Sequence, residues 1–314
     1  MPRAVLHKDC TCRPVRKGSE VHYSIVAYRL KPAYVLVNNE SEGCIVINPV
    51  TLEELRTDFH MITSTFCLLS GIGRTTERRL WREGITTWSD FLETPFIRGI
   101  SAGRKSLYDG GLLEAQARYT RDDARYFGVV LPQREQWRLY EWLRERAVYL
   151  DIETDSFGQI TIVGCYGHGR FTSFVRGESL NARQLADELS RYDLLVTFCG
   201  TTFDVPMLLA QFPNLPLDQP HIDLCFMGRQ LGYRGGLKAI EAQLDITRAA
   251  DLRGLNGHDA VLLWNRWRHS HDEEARAQLL GYNEADCVNL ERLADTFYCE
   301  MIRRLEINTC PTAG

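Results

Sequence analysis

The sequence predicts an α/β protein whose mixed sheet is flanked by helices and preceded by a helical hairpin region and a small β-rich module. Three observations predict it. Branched and aromatic runs broken by turn residues fill the first 50 residues. Amphipathic helical segments fill residues 51 to about 145. From Ala147 a set of apolar strands gives way, after Phe203, to helices.

In the first module, residues 1–60, strands are expected over Val21 to Leu30, Tyr34 to Val37 and Cys44 to Ile47, separated by Asn38-Asn39 and Glu42-Gly43. Helical periodicity follows over Leu52 to Phe59, Thr75 to Arg82, Trp88 to Leu92 and Gln133 to Arg146, which makes residues 61–146 a helical region. Residues 147–314 form the α/β domain. Its strands are expected over Ala147 to Ile152, Ile160 to Cys165, Arg170 to Val175 and Leu194 to Phe198, with a helix over Asn181 to Leu189. Three strands, a helix, a strand and then helices fit a mixed sheet covered on both faces.

The 314 residues are 44% hydrophobic and 25% charged, ordinary for a globular chain of two or three domains. No apolar run approaches the ~18 residues a membrane span needs, so no membrane role is expected. Met1 to Cys12 lacks the apolar stretch of a secretory signal, and a cytoplasmic location is expected. The ten cysteines are scattered and fit buried apolar roles better than a disulfide framework. Cys10 and Cys12, with His7 and Cys44, are the alternative, a zinc site, although no second Cys pair answers their spacing. A net charge of −4 argues against binding nucleic acid by bulk charge and leaves room for local basic patches beside an acidic site.

Three elements carry carboxylates in suggestive places. Asp151 and Glu153 end an apolar strand in Leu150-Asp151-Ile152-Glu153-Thr154. Alternation points both to one side, where they repel unless a cation lies between them. Oxygen ligands suit Mg²⁺ or Mn²⁺. In Leu194 to Leu208 a buried strand runs through Gly200 into a helix opened by Asp204, either a plain helix-start carboxylate or a ligand delivered at a strand end. Tyr282 and Asp286 stand four residues apart on a helical stripe that continues through Leu290 or Leu293 and Phe297, so the polar pair prolongs a core face.

In that order the elements resemble the DEDD exonuclease superfamily, tyrosine subtype. The histidine subtype would need a His five residues before Asp286, where the chain has Gly281. The segments Gly235-Gly236-Leu237-Lys238-Ala239-Ile240-Glu241, His221-Ile222-Asp223-Leu224 and Ala260-Val261-Leu262-Leu263-Trp264 are similar to those of the YprB-type family of predicted exonucleases, over about residues 147 to 300. The resemblance implies a ribonuclease H-like fold and a 3′-to-5′ exonuclease. It makes Asp151, Glu153, Asp204 and Asp286 ligands of two divalent cations, Mg²⁺ or Mn²⁺, about 4 Å apart. It gives Tyr282 the task of positioning the attacking water. One departure is Cys199-Gly200 where that family has Asn-Gly, which removes a side-chain amide near the site.

Leu68 to Leu92 carries a second resemblance. Gly71-Ile72-Gly73 is expected to turn between two helices, Gly84 to end the second helix, and Thr87 with Asp90 to start the next. This is similar to a helix-hairpin-helix, in which backbone N–H groups hold a nucleic-acid phosphate. Gly71, Ile72, Gly73, Arg74 and Arg78 are the expected contacts. Residues 71–105 hold seven Lys or Arg against four Asp or Glu. Packing is the alternative use of such a hairpin. Ile97-Arg98-Gly99-Ile100-Ser101 is a fainter echo of the same turn. The expected partner is nucleic acid, DNA or RNA. A catalytically weak binding protein, favoured by Cys199, and a structure-specific endonuclease are the rival functions.

Overall fold

The computed structural model describes residues 35–39, 43–47 and 61–305. The chain forms two compact units, residues 1–58 and 59–314. In the first, β1 (Val35–Asn39) and β2 (Gly43–Ile47) pair antiparallel, with Val35 opposite Ile47 and Asn39 opposite Gly43. The expected strand over Val21 to Leu30 and helix over Leu52 to Phe59 lie outside the described residues, as do His7, Cys10 and Cys12. Cys44 is placed only as a residue of β2.

The second unit opens with α1 (Met61–Ser64), α2 (Arg74–Arg82), α3 (Trp88–Glu93), α4 (Ala102–Thr120) and α5 (Ala124–Val130). The expected capping box is present at α3: Thr87 accepts from Asp90 N, and the Asp90 side chain accepts from Thr87 N. Gln133 to Arg146 is not the single helix expected. It is a 3₁₀ turn (Gln133–Leu139), a short α6 (Tyr140–Leu143) and a second 3₁₀ turn (Arg144–Arg146). The three-residue period of 3₁₀ structure aligns Glu135 with Arg138, whose side chains pair at 3.0 Å without access to water. Arg138 also pairs with the buried Glu77 of α2 at 2.8 Å. Glu77 in turn accepts from Thr65 Oγ1 and from Phe66 N. The helical region is tied to the α/β part by other bonds, from Tyr140 Oη to Asp295 and from Tyr298 Oη to Glu141, both at 2.9 Å, and the two lie in one compact unit.

The sheet holds β3 (Ala147–Thr154), β4 (Ile160–Gly167), β5 (Arg170–Val175), β6 (Leu194–Thr197) and β7 (His221–Asp223), in the order β5-β4-β3-β6-β7. The first three are antiparallel, while β6 and β7 run parallel to β3. The fifth strand went unread because three residues after Pro220 carry no alternation. Between and after the strands come α7 (Ala182–Leu189), α8 (Asp204–Gln211), α9 (Leu224–Leu231), α10 (Leu237–Gln243), a 3₁₀ turn (Ala250–Leu252), α11 (Gly257–Ser270) and α12 (Glu273–Arg304).

Strand alternation divides the core in two. Val148, Leu150, Ile152, Val163 and Cys165 pack on one face with Leu185, Leu189 and Leu208. On the other, Ile162 and Val175 meet Leu263, Trp264 and Trp267 of α11 and Leu279 and Tyr282 of α12. Asp151 and Glu153 therefore face α12. Among the described residues no helix is long and apolar enough to cross a membrane.

Candidate active site

The site lies where β3 outlasts its neighbour. Parallel pairing with β6 stops at Tyr149 opposite Val196, and the β3–β4 register slips between Glu153 and Thr154. The Ile152 N–H beyond that point has no ladder partner in β6. It donates instead to Asp204 Oδ1 at 3.2 Å. Asp204 is the first residue of α8, yet no side-chain cap serves that helix. Its buried carboxylate accepts both from its own backbone N–H at the helix start and from Ile152 N–H of the strand.

On the α12 face, carboxylate oxygens of Asp151, Glu153 and Asp286 lie within 4.8 Å of one another. Asp204 is not part of this group of three. Asp286 comes from α12, one turn after Tyr282, and both are buried as the interrupted stripe predicts. Asn283 of the same helix donates to Asp151 Oδ2 at 2.8 Å and to Asp151 O at 3.3 Å. Such closeness requires Gly164 opposite Asp151 on β4. A Cβ there would lie 2.1 Å from Asn283 Oδ1. Sequence reasoning noted Asn283 only as part of the family resemblance and gave neither it nor Gly164 a role, since their meeting is a tertiary fact.

Burial sets the electrostatics. It pushes the Asp151 carboxyl well above the usual carboxylate range, with Asp286, Glu153 and Asp204 adding to the effect. Glu153 is pushed up to about 8, first by burial and then by Asp286. Asp204 rises to about 7 by burial, against the lowering effect of its backbone hydrogen bonds. Burial and the carboxylates beside it also raise the Tyr282 phenol, which stays protonated at neutral pH. Acids gathered in this way keep protons or hold a cation. An all-oxygen donor set at this spacing fits a hard divalent cation such as Mg²⁺ or Mn²⁺.

Two cations of the chain border the cluster. Lys238 Nζ donates to Tyr282 Oη at 2.6 Å and lies 3.4 Å from Asp286. The buried Arg248 contacts Asp286 and makes two bonds to Glu241, at 2.7 and 2.6 Å. On the other side, Asp223 accepts from Cys199 N, Thr201 N and Cys225 N at 2.9 to 3.0 Å. It thereby fixes the turn that delivers Asp204. An Asp closing a strand before a helix could be read as a cap, but not its reach to residues 199–201.

The helical hairpin differs from expectation at its first helix. α1 ends at Ser64, and turns over residues 65–70 precede Gly71. Gly71 has φ +83°, Ile72 is buried and its N–H bonds Leu69 O, and Gly73 opens α2 in an extended conformation. The faint echo repeats this geometry. Gly99 has φ +77°, buried Ile100 bonds Ile97 O, and Ser101 opens α4. Tyr108 of α4 donates to Ser70 O, and Gly111 lets Leu69 of the first turn approach closely, since a Cβ there would lie 3.0 Å from the Leu69 side chain. Arg74 pairs with Glu135 at 2.7 Å and with Gln230, so its guanidinium braces the fold, whereas Arg78 is exposed. Gly73, Arg74, Thr75, Thr76 and Arg134 bound a hollow at the start of α2.

No curated protein matches the chain. A protein-family model of the RNase H superfamily matches residues 148–298, just under half of the chain. That span runs from β3 to α12 and contains every carboxylate of the site. The mixed five-stranded sheet with helices on both faces is a ribonuclease H-like fold, and with the acidic cluster it suggests a nuclease.

Proposed function

We propose that the chain is a 3′-to-5′ exonuclease that hydrolyses nucleic-acid phosphodiesters with two divalent cations. The observation that carries this reading is the group Asp151, Glu153 and Asp286, with mutually facing carboxylates on a ribonuclease H-like sheet. These three would hold one cation, and Asp151 with Asp204 would share the second. Bound there, divalent cations supply the Lewis acidity that makes a water nucleophilic at neutral pH and offsets charge on the leaving oxygen. The protein's own groups do the positioning. Asn283 orients the Asp151 carboxylate. Ile152 N–H fixes Asp204. Tyr282, kept neutral by burial, orients water and is no base.

The duplicated turns at Gly71 and Gly99 support nucleic acid as the substrate, because each leads into the N-terminus of a helix, the end that attracts a phosphate. Phe157 is 88% exposed on the turn that follows Glu153, a surface on which a base could stack. End-labelled single strands and duplexes of DNA and RNA, incubated with Mn²⁺, test the proposal. Mononucleotides released from the 3′ end, with closed circles left intact, are the expected outcome. Cutting of circles would make the enzyme an endonuclease, and no cleavage of any substrate would make it a binding protein.

A further inference from the structure

We propose that Lys238 is a positioning residue of this site. It makes Tyr282 a hydrogen-bond donor over the acidic cluster, and it is the counter-ion that yields when divalent cations enter. The proposal rests on the nuclease reading.

The two cations beside Asp286 are not equivalent. Arg248 is committed: it makes two bonds to Glu241, Asn289 steadies the same carboxylate at 3.0 Å, and only 7% of the Arg248 side chain meets water. Its charge already has a partner outside the metal-binding acids. Lys238 has none. Its ammonium lies 3.4 and 3.5 Å from the two Asp286 oxygens, long for a charged hydrogen bond, and its side chain is 35% exposed. Helix stability does not explain its place either. Lys238 is the second residue of α10, where the helix dipole disfavours a cation. Glu241, one turn on, pairs with Arg248 instead.

The short contact is the one to Tyr282. Nζ lies 2.6 Å from Oη and 4.4 Å from the ring centroid. An ammonium has three donors and no acceptor, so Oη must accept. Among the described residues Oη has no other hydrogen-bond partner. Its single proton is therefore free for an oxygen that arrives from outside the protein, that of the attacking water or of the phosphate. Lys238 thus sets the direction of the Tyr282 hydroxyl, and it can leave Asp286 without breaking that bond. Burial and the neighbouring carboxylates, which hold the phenol protonated, are consistent with a donor.

The experiment pairs Mn²⁺ calorimetry with single-turnover hydrolysis for the parent, Lys238→Met, Lys238→Arg, Tyr282→Phe and the Lys238→Met/Tyr282→Phe double variant. Lys238→Met removes a charge that repels the incoming cation, so Mn²⁺ should bind about tenfold tighter. Turnover should fall about 10- to 100-fold with KM little changed. The double variant should be no slower than Tyr282→Phe alone, because Lys238 acts through that hydroxyl. Lys238→Arg should keep most of the turnover. Unchanged or weaker Mn²⁺ binding by Lys238→Met overturns the counter-ion role, and losses that multiply in the double variant overturn the positioning role. A parent that binds Mn²⁺ but hydrolyses nothing refutes the nuclease reading and with it the positioning role, while the Mn²⁺ comparison still decides the counter-ion role.

Discussion

Divalent cations should bind this protein in exchange for protons, and the exchange should be large near neutral pH. Glu153, raised to about 8, and Asp204, raised to about 7, both carry protons over much of the range from pH 6 to 8. An ordinary exposed carboxylate, with a pKa near 4, would not. Only the ionised form is a ligand, so cation binding must expel those protons. Each unit of pH below a group's pKa weakens binding about tenfold, so the two groups together make binding at pH 8 about 10²- to 10³-fold tighter than at pH 6. Calorimetric titration of Mn²⁺ in buffers of different ionisation enthalpy counts the protons directly, and at least about two should leave near pH 6.5, because Asp151 is also raised. The same groups govern the metal-free fold. A carboxyl whose folded pKa is raised binds its proton more tightly folded than unfolded. Its contribution is therefore full at about pH 4 and is lost as pH rises through about 8. Mn²⁺ should abolish that decline in melting temperature. Equal Mn²⁺ affinity at pH 6 and pH 8, with no proton release, would refute the picture of a buried, proton-holding cluster.

Asp204→Asn keeps an acceptor for Ile152 N–H, so its melting temperature should stay near the parent's. Hydrolysis should fall by orders of magnitude, and calorimetry should count one cation fewer. Parental turnover in this variant would make Asp204 merely a backbone partner. Gly73→Val should leave the fold intact, because no atom lies within 4 Å of the added Cβ and the backbone there is extended. It should weaken affinity for long nucleic acids, measured by anisotropy, while hydrolysis of a mononucleotide ester is unchanged. Undiminished affinity would assign the hairpin to packing.

What the sequence revealed follows from the range of the forces involved. Arg170–Val175 could be bounded to the residue and β3 and β4 to within two, because alternation and turn chemistry are local. The acids were legible because each interrupts an apolar pattern: Asp151 and Glu153 at a strand end, Asp286 on a core stripe. The tertiary partnerships around those acids were not. Lys238 and Tyr282 are 44 residues apart and Asn283 and Asp151 are 132 apart, and no periodicity links them. The 3₁₀ turns before β3 escaped for the same reason, since the buried pairing of Arg138 with Glu77, 61 residues away, holds them.

Cys199, where the resembled family has Asn, is the one site position whose chemistry departs from the pattern, and the structure changes what that departure means. Its φ is +63°, in the left-handed region that Asn tolerates better than most side chains do. The turn does not depend on its side chain, because Asp223 holds Cys199 N at 2.9 Å and Thr201 N at 3.0 Å. Its thiol is raised to about 12, by burial and then by a hydrogen bond with Cys225, so it is a poor ligand and a poor nucleophile. Local strain, not lost delivery of Asp204, is then the main cost of a cysteine here. Cys199→Asn should relieve about 0.5–1 kcal/mol of it and raise the melting temperature by about 2 °C. Mn²⁺ affinity should not move, since Asp223 and the turn are unaltered. A lower melting temperature would mean that the Cys199–Cys225 contact is worth more than the strain. Altered Mn²⁺ affinity would mean that side chain 199 reaches the metal-binding acids after all.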